Sequence, residues 1–406
     1  MTTHLGSRAA EFFGLRPGIL GMLAMVVLVG MGERMADRFL PIYILAVGGS
    51  SLAVGLLGSL ENLLGALYSF PGGYLSDRWG PRRALLFFNL LAAAGFLLVV
   101  LVPVWQALLV GAVLFLSWSA ISMPAVMGLI GQTLPKSKQV MGVSVHALVR
   151  RIPMALGPML GGVLIAWLGE KDGVRASFGV AFILCLVSMV IQQRLIRDDP
   201  QRGTAEAEAR PWRMWQWMPP SLRRLLIADV LVRFCEQIPH AFVVIWCMKV
   251  IATPVTAVEF GELTAIEMLS AIAIYIPVGW LADKGGKKSF VLVTFLFFTL
   301  FPLALLNAHN FWSLVAVFII RGLKEFGEPT RKAMILELAP EGKKAALFGL
   351  YYLIRDLFVA AAALGGAFLW QWGPEVNLYT AFLFGVLGTI WFAWKGEDLP
   401  PPPKIS

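Results

Sequence analysis

The sequence predicts an all-α membrane protein of twelve transmembrane helices, built as two six-helix bundles related by a pseudo-twofold axis. Three observations carry this expectation. Hydrophobic residues make up 58% of the 406 and charged residues only 15%, where a soluble domain carries about 25% charged residues. So much apolar surface is accounted for when lipid is the solvent for much of the exterior. Next, Gly73-Tyr74-Leu75-Ser76-Asp77-Arg78-Trp79-Gly80-Pro81-Arg82 returns 206 residues later as Gly279-Trp280-Leu281-Ala282-Asp283-Lys284-Gly285-Gly286-Lys287-Lys288. A basic turn written twice between long apolar stretches marks an internal duplication. Finally, alternate loops differ sharply in charge.

A span takes about 20 apolar residues. Reading between charge clusters and turn residues places spans 1 to 6 at 18–47, 52–76, 82–103, 105–132, 138–168 and 174–194. Spans 7 to 12 follow at 223–250, 256–282, 288–306, 309–336, 342–371 and 375–395. Residues 1–194 therefore form the N-terminal bundle, 195–222 a cytoplasmic linker and 223–406 the C-terminal bundle. The linker holds Arg197, Asp198, Asp199, an Ala/Glu run and Arg210, and Trp212, Trp215 and Trp217 belong at the lipid interface. Ahead of span 1, Arg8 to Arg16 reads as an amphipathic lead-in on the membrane surface, not a cleavable signal.

One set of loops carries Arg78, Arg82 and Arg83, Lys136 and Lys138, the linker arginines, Lys284, Lys287 and Lys288, and Lys343 and Lys344. The other set is nearly bare, and only Glu170 to Arg175 is charged there, with mixed sign. By the positive-inside rule the first set and both termini are cytoplasmic, in a multi-pass protein of the inner cell membrane. The formal net charge of +9 follows from that topology and does not call for nucleic acid as a partner. Cys185, Cys235 and Cys247 sit among apolar residues, without ligand spacing or a disulfide framework. No Gly-x-x-x-x-Gly-Lys loop is present to bind ATP.

The duplication extends beyond the turn. Glu61 and Glu267 lie 206 apart, Pro124 and Pro329 lie 205 apart, and Arg151 and Arg355 lie 204 apart. Gly161-Gly162 and Gly365-Gly366 also fall at 204, and Glu33 and Glu236 at 203. A slow drift of this kind is what small loop insertions produce. Six spans per half leave both halves in the same orientation, the signature of parallel repeats.

The doubled turn resembles the loop motif of the major facilitator superfamily, Gly-x-Leu-(Ala/Ser)-Asp-Arg-x-Gly-Arg-(Arg/Lys). The first copy departs at Pro81, and the second has Lys284 in place of Arg. The resemblance implies a carrier whose two bundles close alternately around a central site, lined by spans 1, 4, 7 and 10. It implies a conformational latch made of Gly73, Asp77, Arg78, Gly80 and Arg82, echoed by Asp283 and Lys284. Asp77 would meet the positive end of span 11; the plainer alternative is that these charges only fix topology. Gly157-Pro158-Met159-Leu160-Gly161-Gly162 matches the end of an antiporter signature, and equally suits close helix packing.

An ionisable side chain in mid-span is costly and faces a cavity or a partner. Glu33 and Asp37 share one face of span 1, with Arg34 and Arg38 on the adjacent one. Span 7 echoes this with Glu236 and His240, and spans 2 and 8 carry Glu61 and Glu267. Spans 5 and 11 carry Arg151 and Arg355, the latter beside Asp356. On span 10, Arg321, Lys324, Glu325, Glu328, Arg331 and Lys332 keep helical spacing and predict one continuous stripe. Span 4 has no such charges, and spans 3, 6, 9 and 12 are essentially neutral. These groups either form structural ion pairs that exchange as the carrier moves, or couple transport to protons. The proton-coupling candidates are Glu33, Asp37, Glu61, Glu236, His240 and Glu267. The solute-cavity candidates are Arg34, Arg151, Arg321, Lys324, Glu325, Glu328, Arg355 and Asp356.

The function expected is secondary active transport, with the proton as coupling ion, no other cofactor, and export of an amphiphilic or drug-like solute. The alternatives are a charged metabolite (organic anion, peptide, siderophore or lipid) or, less favoured, a divalent metal at Glu236 and His240, for which no third ligand is evident. No reactive constellation suggests an enzyme, and the chain is expected to act as a monomer. Replacing Glu33 or Glu61 by Gln should abolish pH-gradient-driven flux while expression is spared. Unchanged flux in both variants would remove these two carboxylates from the mechanism.

Overall fold

The computed structural model describes residues 17–79, 81–116, 149–195, 215–282, 287–340 and 344–398, and every regular element among them is helical. The chain divides into two compact units, one of Met1–Gly49 with Leu64–Ala207 and one of Ser50–Leu63 with Glu208–Ser406.

In the first unit, α1 (Pro17–Asp37) ends in a turn at Arg38 and Phe39 and resumes as α2 (Leu40–Ala46). Then come α3 (Ser51–Trp79), α4 (Pro81–Leu101) and α5 (Trp105–Leu116). The remainder of span 4 and the first part of span 5 lie outside the described residues. Helix α6 (Arg151–Leu195) is 45 residues long, about 68 Å at 1.5 Å per residue, twice what a bilayer core needs. It is two spans. Gly169 is non-helical at φ 82 and ψ 168, a backbone that glycine tolerates best. Beyond it the chain doubles back, so that a Cβ on Gly173 would lie 2.5 Å from the Ile165 Cα. The sequence predicts a charged loop between spans 5 and 6; the structure replaces it with this single-residue reversal.

The main contact of the first unit is α1 along α6, and small residues set its closeness. A Cβ on Gly32 would meet the Ala181 backbone at 2.5 Å, and one on Gly157 would meet Arg34 Cβ at 2.6 Å. Gly161 lies directly against the Met35 carbonyl. The Gly157–Gly162 run therefore serves backbone approach between helices. Phe96, Phe115 and Phe178 fill the core between α4, α5 and α6, with ring centroids 5.4 to 5.9 Å apart. Span 3 is anchored to span 6 by amides. Asn89 Nδ2 donates to Gln192 Oε1 at 2.6 Å, and Gln192 Nε2 donates to the Arg82 carbonyl at 2.8 Å.

The second unit begins with α7 (Pro220–His240), which breaks at Ala241 and Phe242. A short turn Val243–Ile245 and a π-helical turn Trp246–Val250 follow, bent from α7 by 44°. Then come α8 (Ala257–Ala282), α9 (Lys287–Leu306), α10 (Phe311–Leu323), α11 (Glu328–Leu338), α12 (Lys344–Trp372) and α13 (Pro374–Lys395). Span 10, predicted as one helix, is split by the turn Lys324 to Gly327. Its two halves have their own start signals. Asn310 and Ser313 form a reciprocal cap on α10, while α11 opens on Gly327 with Pro329 in its first turn.

Helix α7 is central, packed by α12 and α13, in a core that includes Leu225, Val232, Phe298, Met334, Tyr351 and Phe392. The opening residues of α3 belong to this unit. Gly55 is seated against Ala367, and Gln371 Nε2 donates to Ser51 Oγ at 3.3 Å.

The duplication is visible in the breaks themselves. Phe39 and Phe242 are 203 positions apart, the spacing of Glu33 and Glu236. Each donates its N–H to the carbonyl three residues back, at 2.8 Å in both cases (Ala36 and Pro239). Their dihedrals agree, with φ −104 and ψ −1 at Phe39 and φ −93 and ψ −9 at Phe242.

Five helices are long and apolar enough to cross a membrane, six when the bent α7 pair is taken as one span, among the described residues. Apolar side chains face outward throughout. The most exposed are Trp167 (79%), Trp312 (78%), Trp372 (77%) and Trp394 (75%), each near a helix end. A Gly161→Val substitution should force α1 off α6 and cost about 1–3 kcal/mol. The check is the thermal midpoint of the detergent-solubilised protein, and an unchanged midpoint would show that the contact tolerates bulk.

Candidate functional site

Nine charged side chains of alternating sign run in one connected series through the second unit. The series starts at Glu267 on α8, whose carboxylate is 3.9 Å from Lys324 Nζ. Lys324, in the span-10 break, lies 2.6 Å from Glu236 on α7. Glu236 is 2.6 Å from Arg233, and Arg233 is 3.4 Å from Glu328 at the start of α11. Glu328 is 2.7 Å from Arg331, and Arg331 pairs with Asp229 back on α7. Asp229 lies 3.8 Å from Arg355 on α12, which is 2.6 Å from Asp356. The Tyr351 hydroxyl donates to Asp229 Oδ2 at 3.0 Å.

At the Glu267 end a second cation closes the series. Arg321 Nε is 3.5 Å from Glu267, and its Nη2 is 3.4 Å from His240 Nδ1. The cations also rest on rings: Arg321 on Phe301 and Phe318, Arg233 and Lys324 on Phe298, Arg355 on Tyr352.

The alternation has a physical reason. A charge removed from water is tolerated only when an opposite charge and hydrogen bonds replace its hydration. Glu267, Asp229, Arg331 and Arg321 are all buried, so each needs a partner of opposite sign. Local sequence puts the groups in reach. Asp229, Arg233, Glu236 and His240 follow an i, i+4, i+7, i+11 pattern and share one face of α7. The break in span 10 turns the expected stripe into two clusters. Arg321 and Lys324 reach Glu267 and Glu236, while Glu328 and Arg331 reach Arg233 and Asp229. Lys332 is half exposed and lies 3.5 Å from Glu328. Chemically, the pairs of such a series are coupled. Neutralising one carboxylate leaves an adjacent cation in excess, and its neighbours must re-pair.

The structure thus gathers Glu236, His240, Glu267, Arg321, Lys324, Glu328, Arg355 and Asp356. Glu325 lies half-buried in the same break. The other candidates stand elsewhere. Glu33 is buried on α1, and Arg34 pairs with Asp37 at 2.6 Å. Arg151 opens α6, half-buried, and Glu61 is half-buried on α3. Arg82 binds the Gln193 side chain and carbonyl, both at 2.8 Å, and so ties the start of α4 to the end of α6. Gly73, Asp77 and Arg78 lie on α3; Gly80, Asp283 and Lys284 lie outside the described residues.

Sequence reading passed over Asp229 and Tyr351, and gave Arg233 and Arg331 no place in the site. The helical period from Asp229 to His240 was the available signal for the first. Replacing Arg331 by Met should remove the nearest cation from both Asp229 and Glu328, leaving Asp229 with Tyr351 and the more distant Arg355 and Arg233, and cost about 3–5 kcal/mol, while the Asp229→Leu/Arg331→Met double variant should recover much of that loss. Thermal unfolding in detergent reads both; a double variant no more stable than the single would refute the pairing.

The sequence profile of the Major Facilitator Superfamily matches residues 22–253 and again residues 225–406. The chain is 23% identical to an uncharacterised MFS-type transporter of Methanocaldococcus jannaschii, over 87% of its own length and 88% of the relative's. It is likewise 23% identical to a multi-drug resistance efflux pump PmrA homolog of Lactococcus lactis, over 89% and 91%. Among solved structures it resembles the nucleoside transporter NupG with a TM-score of 0.80 at 11% identity, covering 93% of this chain and 100% of that one. With the profile matching once in each half, and the first and seventh spans breaking at corresponding phenylalanines, the chain belongs to the Major Facilitator Superfamily.

Proposed function

We propose that this transporter works by alternating access and exports an amphiphilic solute in exchange for protons. One observation carries the reading: the Lys324 ammonium, in the break of span 10, is shared between Glu236 at 2.6 Å and Glu267 at 3.9 Å. A shared cation leaves the two carboxylates in competition. A proton on either one releases Lys324 to the other. A cationic or strongly dipolar solute group takes the deprotonated carboxylate, and a proton arriving there expels it. Solute and proton then exclude one another, the linkage that antiport requires. The likeness to an efflux pump along most of both chains supports export. Asp77 as a latch, a monomeric state, the inner membrane and cytoplasmic termini belong to the same reading, the last supported by the loop charges.

A second reading has its own support. Arg321 and Lys324 offer buried cations to an anionic solute. That solute would displace a carboxylate, which would then take up a proton, so solute and proton would travel together. The direction of proton movement separates the two. In liposomes with an imposed pH gradient, ethidium (a cation) should move opposite to protons. An anionic probe without a cationic group, such as carboxyfluorescein, should reveal the second mode by moving with them. Glu267→Gln should reduce gradient-driven flux by at least about tenfold. Folded protein that moves neither probe in response to the gradient would overturn the proposal.

A further inference from the structure

A break in a membrane helix frees backbone groups that lipid cannot satisfy, and a neighbouring helix must do so. Both breaks in the second unit are satisfied from helices without charge between their ends. In span 10, the N–H of Gly327 donates to Thr294 Oγ1 on α9 at 2.5 Å. The neighbouring amides have already turned inward, with Glu325 N–H to the Gly322 carbonyl and Phe326 N–H to the Leu323 carbonyl. The turn is pressed onto α9. A Cβ on Gly327 would lie 2.5 Å from the Phe290 carbonyl oxygen, and the Phe326 ring stacks on Phe290 at 5.6 Å.

In span 7, Phe242 gives its N–H to Pro239 and so deprives the Ile238 carbonyl of its helical donor. Asn377 on α13 supplies one, with Nδ2 at 3.2 Å from that carbonyl and 2.7 Å from the Gly366 carbonyl on α12. Thr294 and Asn377 are both fully buried. Each holds a break beside a group of the site described above: Lys324 in the first case, and in the second His240, which faces Arg321.

We infer that Thr294 and Asn377 are positioning residues that hold the two helix breaks open, so that spans otherwise serving as scaffold set the reach of Lys324 and His240. Lys324 faces Glu236 of α7 and Glu267 of α8, which are also paired with Arg233 and Arg321 respectively, and His240 faces Arg321. Loss of the Thr294 acceptor favours a straighter span 10, which carries Lys324 away from the two glutamates.

The transport arm rests on the proton-coupled reading above, and the test keeps the two apart. Wild type, Thr294→Val, Thr294→Ser and Asn377→Leu are reconstituted at equal folded amounts, with ethidium as solute and a pH gradient as drive. Hydrogen exchange across residues 322–330 is measured in parallel in detergent. The expected result is about tenfold lower turnover in Thr294→Val and Asn377→Leu, with a shifted pH profile, and recovery in Thr294→Ser, which keeps the hydroxyl. Exchange at Gly327 should quicken in Thr294→Val alone. Turnover and pH profile equal to wild type in Thr294→Val, with only its melting point lowered, would overturn the inference. Should Thr294→Val fail to assemble, Thr294→Ala takes its place under the same criteria. A wild type without gradient-driven flux would sink the coupling proposal instead; exchange at Gly327 would still decide whether Thr294 holds the break.

Discussion

Arg331 is the bulkiest of the fully buried side chains among the described residues, and its guanidinium lies between Asp229 and Glu328. In hydrocarbon or dry protein an unpaired guanidinium would be untenable. Its neutralisation by two carboxylates is therefore the condition under which α7 and α11 share a core. The rest of the ionic series is built outward from this pair. Glu328 passes the constraint to Arg233 and so to Glu236 and Lys324, and Asp229 passes it to Tyr351 and Arg355. The apolar core of the second unit, with Leu225, Val232, Met334 and Tyr351, closes around the same helices. Packing and charge are thus not separable here. Moving α11 relative to α7 means re-pairing ions as well as repacking side chains.

The broken spans give that arrangement its geometry. A continuous α10–α11 helix would display its charges as a straight ladder. The turn at Lys324 to Gly327 instead sends Arg321 and Lys324 toward Glu267 of α8 and Glu236 of α7, and Glu328 and Arg331 toward Arg233 and Asp229 nearer the start of α7. The break after α7 repeats, in backbone angles and hydrogen bond, the break after α1. Duplication has preserved a conformational feature while the side chains around it diverged. Glu33 faces its counterpart Glu236 in sequence, but Asp37 stands where His240 does. In the first unit the described pairing nearest the break is local, Arg34 with Asp37.

Much of the architecture could be read from the chain itself, because it rests on long apolar runs, loop charge and a repeat whose spacing barely drifts. Most of the charged site was equally readable, since an ionisable group in an apolar run stands out. Asp229 escaped notice because it lies within two turns of a span boundary, where a charge is ordinary. The interruption of span 10 was hidden for a different reason. Its charges keep helical spacing straight through the turn, and only Gly327 followed by Pro329 hinted at a new helix start. Thr294 and Asn377 are neutral residues in neutral spans. Their meaning comes from carbonyls and amides that the breaks release, and no pattern of side chains announces those.

In the second unit, Trp312 lies at the start of α10, and Trp372 and Trp394 flank the two ends of α13. Indole rings settle at the headgroup level and resist being dragged into either water or acyl chains. Together they act as a ruler for hydrocarbon thickness. A bilayer thinner or thicker than this ruler must stretch, compress or tilt the helices, and the breaks in spans 7 and 10 interrupt the helical hydrogen bonds that would resist such a load. Lipid chain length is then a physical input to the same joints that carry the ions.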